Sequence, residues 1–213
     1  METIQKQTKL YSQNKEQEAI LKYFGDFKGT FLDLGANNGE TLSNTRALAE
    51  LGWCGCLVEP SPKVFPKLKK LYEASKKGCF YVYNCAIGNT NGTAVLHDSG
   101  ELLRTGDQAL VSTLVEIEKK RFESVLTYEP VEVKVFRWKT FLNRLSIKTF
   151  DFVSIDVEGL DLDILKQMDI ESLGVKCLCI EWNGNQRLKA EFDKIMTGFK
   201  IIYTSGENLI YAK

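Results

Sequence analysis

A chain of 213 residues can bury a full core in one α/β domain, and its 44% apolar and 26% charged residues exclude a disordered or fibrous chain. Lys+Arg and Asp+Glu each total 28, so a net charge of +0 supplies no long-range field that would draw the protein onto nucleic acid. The start, Met1 to Lys6, lacks the apolar centre of a signal peptide, and no later stretch reaches the ~20 apolar residues of a membrane span, so a cytoplasmic protein with no membrane partner is expected.

In chain order, Asn14 and Gln17 can form a capping box, after which Ala19, Ile20, Tyr23 and Phe24 make the buried stripe of a short helix inside an N-terminal flap, residues 1–27. A strand is expected over residues 30–34, followed by a turn at 35–39 and a helix opening at Glu40 and Thr41 that carries Leu42, Leu48 and Leu51. A second strand over 55–59 precedes an amphipathic helix with Val64, Phe65, Leu68 and Leu71 inside; the lysines between Lys63 and Lys77 fit its wet face better than a phosphate-binding patch. The third strand is expected over 80–84. Residues 93–150 read as an insert, with hairpin-like segments at 93–96 and 131–136 and a polar stretch at 99–108 placed to shape substrate access.

The apolar run Phe152, Val153 and Ile155 marks a fourth strand, residues 151–156, suited to burial on both faces; the fifth is 177–181. Segments 200–203 and 208–211 alternate around Ser205 and Gly206 as an antiparallel pair. The fold class is therefore α/β: a single domain, residues 1–213, with a doubly wound, mostly parallel sheet and a C-terminal antiparallel hairpin. Cys54 with Cys56, and Cys177 with Cys179, fall two apart on strands, where each pair should pack as small hydrophobes rather than bind zinc.

An open α/β sheet holds its ligand outside the C-terminal strand ends, and those ends carry the polar residues of this chain. Asp33, Gly35, Ala36, Asn37, Gly39 and Thr41 follow the first strand, Glu59 and Pro60 the second, Asn84, Cys85 and Ala86 the third, and Asp156 and Glu158 the fourth. Gly35 and Gly39 permit positive φ, and the helix start at Glu40 and Thr41 suits an anionic group such as an amino-acid carboxylate. Asn37 stands where a dinucleotide fingerprint has its middle glycine, which disfavours a nicotinamide or flavin. Glu59 is placed to accept hydrogen bonds from ribose hydroxyls. His97, the only histidine, lies in the insert and reads as a structural or exposed residue, and Arg104 and Arg121 read as solvated rather than as contacts to an acidic acceptor.

Several stretches resemble the FkbM-type methyltransferases: Ser12 and Gln13 with Glu16 and Ile20, residues 31–39, 43–45, Gly52 and Trp53 with Gly55, residues 58–60, 86–88, 112–114 and 154–159. They run in order from about residue 12 to 183. The resemblance implies the seven-stranded class I methyltransferase (Rossmann-like) sheet. It also implies methyl transfer from S-adenosyl-L-methionine, commonly to a hydroxyl of a sugar, glycan or small natural product, with Gly35, Asn37, Glu59 and Asp156 lining the cofactor site. Asp156, Glu158 and Glu181, joined by Asn183, are the expected reaction centre. No metal is assigned, and a divalent cation on Asp156, Glu181 and Asn183 is the less favoured of two routes to an activated hydroxyl. The competing reading is a catalytically silent S-adenosylmethionine-binding partner module, against which the clustered acids speak.

Overall fold

The computed structural model describes residues 9–102 and 106–213. Its elements are α1 (Glu16–Phe24), β1 (Thr30–Leu34), α2 (Arg46–Glu50), β2 (Cys54–Val58), α3 (Phe65–Glu73), β3 (Phe80–Tyr83), β4 (Ala86–Ile87), β5 (Gly92–Ser99), α4 (Glu116–Phe122), β6 (Tyr128–Phe136), α5 (Trp138–Arg144), β7 (Phe152–Ile155), α6 (Asp161–Leu165), β8 (Cys177–Glu181), α7 (Gln186–Ile195), β9 (Lys200–Thr204) and β10 (Asn208–Ala212).

Seven strands form one sheet in the order β3-β2-β1-β7-β8-β10-β9. The five from β3 to β8 are parallel, and β10 runs antiparallel to both of its neighbours. Alternate side chains of the same strands supply two cores, as the period of two requires. Leu32, Leu34, Val153, Ile155, Leu178 and Ile180 pack with Phe141, Ile164 and Phe192 of α5, α6 and α7. Phe31, Leu57, Phe152, Cys177 and Cys179 pack with Ile20, Leu48 and Leu68 of α1, α2 and α3. Helices on both faces make the sheet doubly wound, the α/β class expected from the strand pattern.

A second sheet, β4-β6-β5, stands over the strand ends. Strands β5 and β6 pair over eight positions, from Gly92 with Val135 to Ser99 with Tyr128, which makes the hairpin longer than its apolar alternation indicates. Helix α4 between them buries no residue fully, so no amphipathic stripe announces it.

Three local expectations are corrected. Asn14 does not cap α1; instead Ser12 Oγ accepts from the Gln17 amide at 3.1 Å while Gln17 Oε1 accepts from the Tyr11 amide at 2.9 Å, a reciprocal pair set two residues earlier. Nor does α2 begin at Glu40: Leu42 has φ of 55°, a conformation that no helix continues, and the helix starts at Arg46. Cys54 is joined in a disulfide to Cys79, with a Cα–Cα distance of 4.6 Å, rather than packed with Cys56 as a hydrophobe; Cys56, Cys177 and Cys179 are free and buried.

Candidate active site

The C-terminal ends of β1, β2, β7 and β8 open into a cavity of about 350 Å³ roofed by the insert and bordered by the N-terminal segment at Gln13. Gly35 has φ of 88°, and a Cβ there would lie 1.7 Å from the Asp156 carbonyl oxygen, so the absence of a side chain lets the turn after β1 cross β7 directly. Gly35 and Ala36 both donate to the Val58 carbonyl at 3.0 Å, which anchors the same turn to β2. Asn37, with φ of 46°, then places its amide 2.8 Å from Glu59 Oε2, and the Ser61 amide lies 2.7 Å from Glu59 Oε1.

At the end of β7, Asp161 takes the Val157 and Gly159 amides on its two oxygens, each at 3.1 Å, and Thr113 Oγ1 donates to the Glu158 carbonyl at 2.6 Å. These bonds hold Glu158 at φ of 54°. At the end of β8, Asn183 has φ of 49° and donates through its amide to the Glu207 carbonyl at 3.2 Å. Among the described residues the non-glycine positions with positive φ are Asn37, Leu42, Ala109, Glu158 and Asn183, and all five line the cavity. Backbone strain is thus concentrated where function is expected.

The carboxylates of Asp156, Glu158 and Glu181 come together, one oxygen of each within 4.8 Å of the others. Burial raises Asp156 to about 7, helped by repulsion from Asp161 and Asp33. Burial, then repulsion from Asp156, holds Glu158 and Glu181 well above the usual carboxylate range. Glu59 is pushed up to about 8 by burial against the pull of its two amide donors, and Asp33, which accepts from Thr45 Oγ1 at 2.6 Å, rises to about 6 for the same reason. Among the described residues six acids line the cavity, Asp33, Glu59, Asp156, Glu158, Glu181 and Glu207, against one base, Arg121.

The structure brings Asp33, Gly35, Ala36, Asn37, Thr41, Glu59, Pro60, Cys85, Ala86, Asp156, Glu158, Glu181 and Asn183 to this wall. It leaves out Gly39 and Asn84. A Cβ on Gly39 would meet Leu68 Cδ1 at 2.6 Å and Tyr72 Cε2 at 2.7 Å, so this glycine serves the packing of the turn against α3. Asn84 Nδ2 donates to the Glu59 and Pro60 carbonyls at 2.9 and 3.1 Å, bracing the β2 exit from behind. The amides of Glu40 and Thr41 are satisfied by Asn38 Oδ1 at 2.9 and 2.8 Å, so the anion site expected at a helix start there does not form.

A model of the methyltransferase FkbM domain matches residues 33–201. The chain belongs to the FkbM methyltransferase family. Methyltransferase FkbM from Methylobacillus flagellatus KT superposes with a TM-score of 0.52 at 14% identity over 87% of this chain and 44% of that one. The Thermus thermophilus 16S rRNA N2 G1207 methyltransferase RsmC, solved with AdoMet and guanosine, gives 0.50 at 14% identity over 99% of this chain and 44% of its own. The chain spans less than half the length of either, and these likenesses describe the fold. The chain has no significant sequence match among curated proteins.

Against this family frame, the insert supplies residues that sequence reading missed. Arg121, expected to be solvated, is 44% exposed and at the same time lines the cavity from α4, paired with Glu118 at 2.5 Å. Asn44 and Asn208 also line it, each buried with a side-chain oxygen that lacks a partner. His97 stays outside the cavity wall, its Nε2 2.9 Å from Glu116 Oε2 at the start of α4. Arg104 lies outside the described residues.

Proposed function

We propose that this FkbM-family chain transfers a methyl group from S-adenosylmethionine to a hydroxyl oxygen of a sugar, glycan or small natural product. The observation that carries the cofactor assignment is the make-up of the cavity wall: among the described residues, six acids to one guanidinium. A pyrophosphate-bearing nucleotide would find few cationic partners there, whereas a ligand carrying a sulfonium and an ammonium favours the ionised form of buried acids that are otherwise held protonated. Glu59 and Cys85 flank the half of the wall suited to a nucleoside, and Asp33 and Asp156 lie beside the middle.

When bound, S-adenosylmethionine supplies an electrophilic methyl: the acceptor oxygen forms the new bond to carbon as the carbon–sulfur bond breaks and sulfur keeps the pair. The chain's own part is to orient the acceptor and take its proton. The far end of the wall, with Glu158, Glu181, Asn183, Glu207 and Asn208, is rich in hydrogen-bond acceptors, which is what a polyhydroxylated ligand needs. A carboxylate of the Asp156 cluster accepts the hydroxyl proton; burial makes it a better base than a free aspartate, because Asp156 is raised to about 7. Among the described residues the wall carries a single arginine, which offers no track for a phosphate backbone and favours a small acceptor over nucleic acid.

Calorimetry with S-adenosylmethionine, S-adenosylhomocysteine and NAD, followed by turnover on a panel of hydroxylated sugars, tests the reading. Binding of the first two without NAD, and methyl incorporation on oxygen, is the expected result. NAD binding with no response to S-adenosylmethionine overturns it.

A further inference from the structure

We infer that Asp156, Glu158 and Glu181 bind one hard divalent metal cation of the magnesium, manganese or calcium class at the acceptor end of the cavity; the inference deepens the methyl-transfer reading and rests on it. The three carboxylate oxygens lie within 4.8 Å of one another, so a point equidistant from them is no more than about 2.8 Å from each, and a small closure of the side chains brings all three into the calcium–oxygen range of ~2.3–2.6 Å. Each comes from a different place: Asp156 from the exit of β7, Glu158 from the loop that Asp161 pins, Glu181 from the end of β8.

A second observation points the same way. Asn208 is 4% exposed, stands opposite Glu181 in the β8–β10 register and lines the same cavity, yet its Oδ1 has no partner. Asn44, 9% exposed on the same wall, likewise has an unpartnered Oδ1. A buried carbonyl oxygen without a donor is costly. Three carboxylates and two unpaired amide oxygens in one cavity call for a ligand that brings positive charge and no lone pairs of its own. The three acids and Asn208 are oxygen donors with no histidine or thiolate in the set, which selects a hard ion over zinc or copper. A cation there lowers the pKa of an acceptor hydroxyl that it touches.

The test uses the full chain as wild type, Glu158→Gln and Glu181→Gln. Manganese binding is followed by electron paramagnetic resonance, magnesium and calcium binding by calorimetry, and S-adenosylhomocysteine binding is measured in parallel. One manganese per chain is expected, with affinity reduced about tenfold or more in each variant while S-adenosylhomocysteine still binds. No binding of any of the three ions at millimolar concentration, or binding unaltered in both variants, overturns the metal site even when S-adenosylhomocysteine binds normally. Failure of the wild type to bind S-adenosylhomocysteine overturns the methyl-transfer reading instead, and the manganese signal is still read directly. A variant that unfolds is replaced by Asn208→Ala, judged on the same two signals.

Discussion

The Asn37 amide and the Glu59 carboxylate meet at 2.8 Å, so the turn after β1 is tied to the end of β2 by the acid expected to hold the ribose. Because the Ser61 amide occupies the other oxygen at 2.7 Å, Glu59 shapes the fold as well as the site. Glu59→Ala leaves two buried donors unpaired, and a cost of about 1–3 kcal/mol for each makes this variant clearly less stable. Glu59→Gln keeps one acceptor and the side-chain volume, so it should stay nearer wild type in urea unfolding while losing about 1–3 kcal/mol of S-adenosylmethionine affinity. Unchanged affinity in a folded Glu59→Gln protein would remove the carboxylate from the cofactor site.

The two glycines of the first turn are expected to behave differently. Gly35→Ala drives a Cβ to 1.7 Å from a backbone oxygen that cannot move without displacing Asp156, so loss of cofactor binding and destabilisation of about 3 kcal/mol or more are expected. Gly39→Ala meets only side-chain atoms of Leu68 and Tyr72 at a φ of 78°, and its cost should be about 1–2 kcal/mol with cofactor binding retained. Parallel unfolding and calorimetry compare them; equal loss of binding in both would place Gly39 in the cavity wall.

How much was legible follows from where the physics is local. The core strands were readable because runs such as Phe152, Val153 and Ile155 need burial on both faces, and the polar residues after them then had to converge at one edge. Gly35 and Gly39 looked alike because the sequence carries their shared need for positive φ and not the neighbour each would strike. Arg121 and α4 were hidden because that helix buries nothing fully and is fixed by distant partners, with Glu118 packed on Gly159 and His97 paired to Glu116. The disulfide joins cysteines 25 positions apart, a pairing that strand alternation cannot reveal.

Stability of the ligand-free protein should fall as pH rises. Glu59 titrates near 4.5 in an unfolded chain and is raised to about 8 in the fold, chiefly by burial, with Asp98 and Asp33 adding repulsion. Between those values the folded state binds more protons than the unfolded one, so the contribution of neutral Glu59 is fully present below about pH 4.5 and is lost through pH 8. Melting temperatures measured from pH 5 to 8.5 should decline, and Glu59→Gln, which cannot ionise, should flatten the slope. A slope identical in the two proteins would assign the pH dependence to other groups.

Arg121 should set how strongly the site distinguishes S-adenosylmethionine from its product. The two ligands differ by the sulfonium charge, and among the described residues the cavity wall answers it with six acids and this one guanidinium. Removing the guanidinium charge makes the wall more negative, which strengthens the hold on the charged ligand and leaves the neutral thioether nearly unaffected. The side chain of Arg121 is 44% exposed and already paired to Glu118 at 2.5 Å, so solvent and that partner blunt its field. A charge about 8 Å away at an effective dielectric near 20 contributes at most about 2 kcal/mol, and with screening a shift of about two- to fivefold is expected. In Arg121→Met, the ratio of the S-adenosylhomocysteine Kd to the S-adenosylmethionine Kd should therefore rise by that factor at low salt, and the rise should shrink at high salt. A ratio that falls, or one that rises equally at both salt concentrations, would mean that Arg121 acts through packing of α4 rather than through its charge.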